Sequence, residues 1–238
     1  MYLESDTVGE FVVNAPFSQF HGVSWPTNST TAARYIFSIN LTYNDQPLVE
    51  SSVGVNTTNN VFAFNLSQII PRLEPYEVVI YGGSEGGEAT ASSTAELYYL
   101  PEKTNGSVTK IDNISGGLYF RNPASNNVFE PLLSYGFFAS YDGFLGENDT
   151  TVIQHYADLG LNAMTPLTQF PDGTAALNYM DQINLKWMYD LREGYKNLTW
   201  VEEKVLPARN HNGLYAYWLS DELVFFKLTL HTMNPKVN

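Results

Sequence analysis

Carboxylates, an arginine and aromatic residues recur at regular intervals in the second half of the chain. They are Tyr141 with Asp142, Thr165, Asp190 with Arg192, and Trp218 followed by Asp221 and Glu222. Each group follows an apolar or aromatic run, so a sheet whose strands all point one way would gather them at one mouth. Carboxylates at such a mouth can share acid and base work, because their surroundings can push their pKa values apart. Other chemistries lack their residues. The chain has no cysteine, which removes thiol nucleophiles, thiolate metal ligands and disulfides. His21, His155, His211 and His231 show no metal-ligand spacing, so no metal and no cofactor is expected, and His211 is read as a structural turn residue. No Gly-x-Ser-x-Gly elbow occurs. The glycine-rich stretch 82–87 lacks the Gly-Lys-Ser/Thr ending of a phosphate loop and is read as a flexible hairpin loop.

The elements that would position these residues change character along the chain. Residues 1–130 read as strands: 11–13, 34–43, 61–64, 76–81 and 95–100 are β-branched or aromatic runs, several alternating, with turn clusters at 43–47 and 56–60. Strands of this spacing predict a β-sandwich domain over 1–130. From 131 to 238 the pattern becomes α/β. Strands are predicted at 133–139, 162–168, 186–192 and 214–219, with a helix in each gap. The first helix carries Val152, Ile153, Tyr156 and Leu159, and is capped by Asn148 or Asp149. The second is capped by Thr174 and carries Leu177, Met180 and Ile183. The third opens on a capping box of Thr199 and Glu202. Repeated βα units of this length predict a parallel sheet. A doubly wound sheet and a (β/α)8 barrel both fit, and polar residues at the strand ends favour the barrel.

Twelve basic residues against 25 acidic ones give a net charge of −13. Nothing in that balance suits nucleic acid or an anionic membrane surface, so neither is expected as a partner. No run approaches the roughly twenty apolar residues of a membrane span. Eight glycosylation sequons, at Asn28, Asn40, Asn56, Asn65, Asn105, Asn113, Asn148 and Asn197, predict a secreted, extracellular glycoprotein. Residues 1–6 carry neither a basic nor an apolar signal region, so either a signal has been trimmed or the start of the gene is misassigned.

The segment Arg209-Asn-His-Asn-Gly-Leu-Tyr-Ala-Tyr-Trp-Leu-Ser-Asp-Glu222 resembles the fourth-strand motif of clan A glycoside hydrolases of secreted fungal type. The runs Gly136-Phe-Phe-Ala-Ser-Tyr-Asp142 and Asp158-Leu-Gly-Leu-Asn-Ala163 are similar to the opening units of the same barrel. The likeness covers about residues 133–222. It implies a (β/α)8 fold, a carbohydrate substrate, Glu222 as the general acid/base and Asp221 as its sugar-contacting neighbour. Trp218, Tyr141, Asp142, Asp190 and Arg192 would then face the substrate.

The motif also departs from that family. Leu223 stands where the family has proline, and 224–230 is too apolar for a mouth loop. Retaining glycosidases need a second carboxylate as nucleophile, which the family places on its seventh strand. The expectation is therefore an N-terminal part, cut after about the fourth strand and inactive alone. The other class considered is a carbohydrate-binding or adhesion module without catalysis.

Overall fold

Short strands and few helices dominate the computed structural model, which describes all residues except 19, 27–32, 113–115, 147–149, 167–172 and 220–238. Contacts divide the chain into two compact units, Met1–Glu102 and Lys103 onward.

The first unit holds β1 (Tyr2–Leu3), β2 (Val8–Ala15), β3 (Arg34–Leu41), β4 (Gln46–Gly54), β5 (Thr57–Asn65), β6 (Tyr76–Ser84), β7 (Thr90–Leu97) and β8 (Tyr99–Leu100). Four of them form an antiparallel sheet in the order β4-β3-β6-β7, while β2 pairs with β5 and β1 runs parallel to β8. The alternation in β3 shows why: Phe37, Ile39 and Leu41 are buried, while Ile36, Ser38 and Asn40 on the other face are exposed or part-buried. These side chains share one core with Val13 of β2, Phe64 of β5, Val78 of β6 and Leu97 of β7. Asp45 and Asn56 adopt positive φ at the hairpin turns, a conformation Asn and Asp tolerate.

The glycine-rich stretch is only partly a loop. Gly82 and Gly83 belong to β6, and the turn follows them, with Gly87 at φ +74. A Cβ at Gly82 would collide with the Ile36 carbonyl oxygen, and one at Gly83 with that of Ala89, so strand pairing demands the missing side chains. A 3-10 turn at Leu66–Gln68 follows β5, and the Asn65 side chain caps it by accepting from Ser67 N.

The second unit begins with a three-stranded antiparallel ribbon of β9 (Val108–Ile111), β10 (Leu118–Arg121) and β11 (Glu130–Leu132). Residues 103–130, expected with the first domain, thus pack with the second. Ser107 N donates to the His211 carbonyl at 3.1 Å, and Thr109 Oγ1 donates to the Tyr215 carbonyl at 2.7 Å. The Asn122 side chain donates to Asn184 Oδ1 and the Asn212 carbonyl.

Then follow β12 (Phe138–Ala139), α1 (Thr151–Asp158), β13 (Ala163–Pro166), α2 (Thr174–Gln182), β14 (Lys186–Asp190), α3 (Leu198–Ala208) and β15 (Leu214–Trp218). The four strands are parallel and in sequential order. One face packs Met164, Trp187, Tyr189 and Leu214 against Ile153 of α1, Leu177 and Met180 of α2, and Ala208 of α3. The other face sets Ala163, Met188, Tyr215 and Ala216 against Phe120, Leu118 and Leu132 of the ribbon. Apolar cover on both faces is what a parallel sheet requires.

Local details depart from the sequence reading. Residues 133–137 run beside β13 without pairing as a full strand, although the Phe137 carbonyl accepts from Thr165 N. Gly136 is required there, since a Cβ would overlap the Ala163 carbonyl oxygen. Leu159 falls on the C-cap of α1 and is 63% exposed. Thr174 is the first residue of α2 rather than its cap. Helix α3 starts two residues before the expected box: Asn197 caps it by accepting from Trp200 N, and Thr199 lies inside the first turn.

Candidate functional site

The C-terminal ends of β12, β14 and β15 bring together Phe138, Asp190, Arg192 and Trp218. Strand alternation sets their direction. Trp187 and Tyr189 point into the helix-side core, so Met188 and Asp190 point to the opposite face, and register places Asp190 beside Trp218. The loop begins at Leu191, whose N–H donates to the Trp218 carbonyl at 2.8 Å and so turns Arg192 back over the strand ends.

Asp190 is almost fully buried, and Arg192 holds it three times. Arg192 Nε donates to Oδ1 at 2.9 Å, a terminal guanidinium nitrogen donates to Oδ2 at 2.9 Å, and the Arg192 backbone N–H donates to Oδ1 at 3.1 Å. The guanidinium lies 4.3 Å from the Trp218 ring centre and 5.1 Å from that of Phe138, and the two rings are 4.8 Å apart. Bidentate pairing and cation–π contact together fix the arginine as a flat polar plate against the two neighbouring aromatic rings.

This arrangement suits recognition better than proton transfer. Both Asp190 carboxylate oxygens already accept from Arg192, so they are committed to holding that cation. The plate sets a guanidinium beside aromatic edges, the kind of surface that meets a polar ligand. Glu222, the expected acid/base, and Asp221, its expected sugar-contacting neighbour, lie outside the described residues, as do Asn28, Asn113 and Asn148.

The remaining expected site residues are more scattered. Tyr141 opens a five-residue π-helical turn, Tyr141–Leu145, and packs half-buried against the helix-side core. Asp142 is exposed, its carbonyl accepting from Ser140 Oγ at 3.0 Å. Thr165 pairs with Phe138 across the parallel ladder. Phe138 itself was not among the expected site residues. The signal that finds it is the burial of Ala139 in the helix-side core, which sends its neighbour to the other face.

His211 is part of a structural staple. Its Nδ1 lies 2.7 Å from Asp181 Oδ2, and its ring edge meets Trp187 at 5.2 Å. Asp181 also accepts from Trp187 Nε1 at 3.1 Å, Asn212 N at 3.1 Å and Gly213 N at 2.8 Å. Burial alone would raise the Asp181 pKa, but these four partners hold its carboxyl below the ordinary value. Burial lowers Lys186, which donates to the Asn184 carbonyl, and raises the Tyr215 and Tyr217 phenols.

Of the sequons within the described residues, Asn56, Asn65, Asn105 and Asn197 are exposed. Asn40 is half-buried and donates from Nδ2 to Asp45 at 2.8 Å. Among the described residues no cluster of three or more His, Asp and Glu could hold a metal ion, and no helix is long and apolar enough to cross a membrane.

No family model matches the chain, and no curated protein matches it. Among solved structures it is similar to the β-glucuronidase of Parabacteroides merdae, with 10% identity and a TM-score of 0.38 over 79% of this chain and 24% of that one. It is also similar to β-glucuronidase 3 of Bacteroides uniformis, with 14% identity and a TM-score of 0.36 over 84% and 26%. A third is the Ruminococcus gnavus β-glucuronidase in complex with uronic isofagomine, with 12% identity and a TM-score of 0.34 over 83% and 37%. These structural neighbours are glycoside hydrolases at low identity, and the chain spans 24% to 37% of their length.

Proposed function

We propose that this chain is part of a secreted, carbohydrate-acting protein of the clan A glycoside hydrolase type. The first unit is read as a β-sandwich accessory domain, and the parallel sheet as the first four βα units of a (β/α)8 barrel. One observation carries the reading: the Asp190–Arg192 pair packed against the Trp218 and Phe138 rings, at the strand ends where that architecture puts substrate. A planar cation and aromatic rings are suited to the hydroxyls and apolar C–H face of a pyranose. Glu222, four residues beyond β15, takes the role of general acid/base by its resemblance to the fourth-strand motif, with Asp221 contacting the sugar. Exposed Asn56, Asn65, Asn105 and Asn197 suit an exported glycoprotein.

The test is titration of the chain with aryl-glycosides and plant oligosaccharides, read by tryptophan fluorescence against a Trp218→Phe variant. The expected result is a saturable change in the parent that the variant lacks. A change that persists in Trp218→Phe, or none with any saccharide, would refute the assignment of this mouth. For the acid/base role, Glu222→Gln should keep binding and lower any aryl-glycoside turnover by about 10²–10⁴-fold.

A further inference from the structure

A shallow groove of about 590 Å³ lies on the first unit, over the outer face of the β4-β3-β6-β7 sheet. Its size falls within the range of small-molecule sites, about 300–1,000 Å³. Register assembles the lining: Ser38 of β3 stands between Glu50 of β4 and Tyr81 of β6, and Ile36 stands beside Ser52. Tyr81 is 54% exposed and Ile36 45%, so an aromatic ring and one aliphatic side chain form the apolar floor. Arg34 is fixed at one end by donating from Nε to Ser52 Oγ at 3.0 Å, and Ser38 donates to Asn40 Oδ1. Glu50 and Glu85 complete the rim, two carboxylates against one guanidinium.

We infer that this face is a saccharide-binding site that takes a neutral, polyhydroxylated chain, with Tyr81 as the stacking ring and Glu50, Glu85 and Arg34 bonding the hydroxyls. Three features select that ligand class. The backbone groups of β3 and β6 are paired on both sides, so an extended peptide cannot add to the sheet here. The floor offers one ring and no deep apolar cavity, which suits the single apolar face of a pyranose. The rim is rich in acceptors and carries a net negative charge, which favours vicinal hydroxyls and opposes uronates. The inference rests on the carbohydrate reading above but uses none of the residues of the strand-end mouth.

The experiment is calorimetric and NMR titration of the full chain with neutral glucan and mannan oligosaccharides, and with oligogalacturonides as the anionic control. Parent, Tyr81→Ala, Tyr81→Phe, Glu50→Gln and Trp218→Phe proteins would be compared, with far-UV circular dichroism confirming the fold of each. Neutral chains should bind. Tyr81→Ala should weaken them about tenfold or more, as loss of a buried aromatic anchor does. Tyr81→Phe should stay near the parent, and Glu50→Gln should weaken binding while improving that of the oligogalacturonides. Unchanged binding in a folded Tyr81→Ala protein, preference of the parent for oligogalacturonides, or no binding by any of these chains would overturn the inference. Binding lost in Trp218→Phe but kept in Tyr81→Ala would overturn it and leave the strand-end reading standing.

Discussion

Replacing Asp181 should expose how the second unit is held together. The carboxylate sits near the C-terminal end of α2 and bonds the turn that leads into β15, through Asn212 N, Gly213 N and His211, as well as Trp187 in the middle of the sheet. In Asp181→Asn the retained Oδ1 can still accept from Trp187 and Gly213. The new amide faces the Asn212 N–H, donor against donor, while His211 Nδ1 can accept from it in the tautomer that carries the proton on Nε2. One unpaired backbone N–H is the net result, which costs about 1–3 kcal/mol. Asp181→Ala removes all four partners, including the indole N–H of Trp187, whose side chain is fully buried, and should cost about 3–5 kcal/mol.

The same residue should write a pH dependence. Its folded pKa lies below the ordinary 3.8, so its stabilisation is complete above that value and is lost as pH falls through the folded pKa. Parent stability should therefore drop on acidification below about pH 4, and Asp181→Asn should flatten that limb. Urea unfolding followed by tryptophan fluorescence at pH 7 and pH 3 measures both effects. Equal midpoints for parent and Asp181→Asn at both pH values would show that the staple carries no load.

Three further outcomes are expected. Arg192→Ala leaves the Asp190 carboxylate buried without its cation and should cost about 3–5 kcal/mol in urea unfolding, whereas Arg192→Lys should recover only part of it, because lysine can neither bind bidentately nor stack flat. Asn197→Ala should lower stability by about 1 kcal/mol through loss of the α3 cap, while Thr199→Ala stays within about 0.5 kcal/mol; the reverse order in thermal unfolding would restore the Thr199 start. Gly136→Ala should cost upwards of about 3 kcal/mol, read as loss of soluble protein or a lowered midpoint, since its methyl has nowhere to go beside the Ala163 carbonyl.

The βα repeat was readable because each unit carries its own period and its own punctuation. Leu177 and Met180 share the buried face of α2, Gly160 at φ +89 follows α1, and apolar runs mark β13, β14 and β15. Asp190 and Arg192 were found by their place at a strand end. The domain boundary was not readable, because β9, β10 and β11 are short strands that follow directly on those of the first unit. Their allegiance depends on partners such as His211 and Tyr215, more than a hundred residues away. The start of α3 was misread because Asn197 and Thr199 are both good caps, and choosing between them needs the position of Trp200 N. Gly82 and Gly83 looked like loop residues because a strand that needs glycine for close approach has the same composition as one that is ending.

The bonds that tie β9 to β15 also set a timetable for synthesis. Ser107 and Thr109 donate to carbonyls at His211, Leu214 and Tyr215, at separations of 104 to 107 residues. A ribosome adding about 5–20 residues per second makes the donors roughly 5–20 seconds before their acceptors. During that interval the ribbon cannot dock at the start of β15, and the inner-face residues Phe120, Ala163 and Met188 lack the cover that Tyr215 will provide. The nascent chain therefore passes through a stage in which its parallel strands exist with one face open to water. Chaperone engagement with the emerging chain should concentrate between completion of β13 and release of β15, and should fall once Tyr215 has left the exit tunnel.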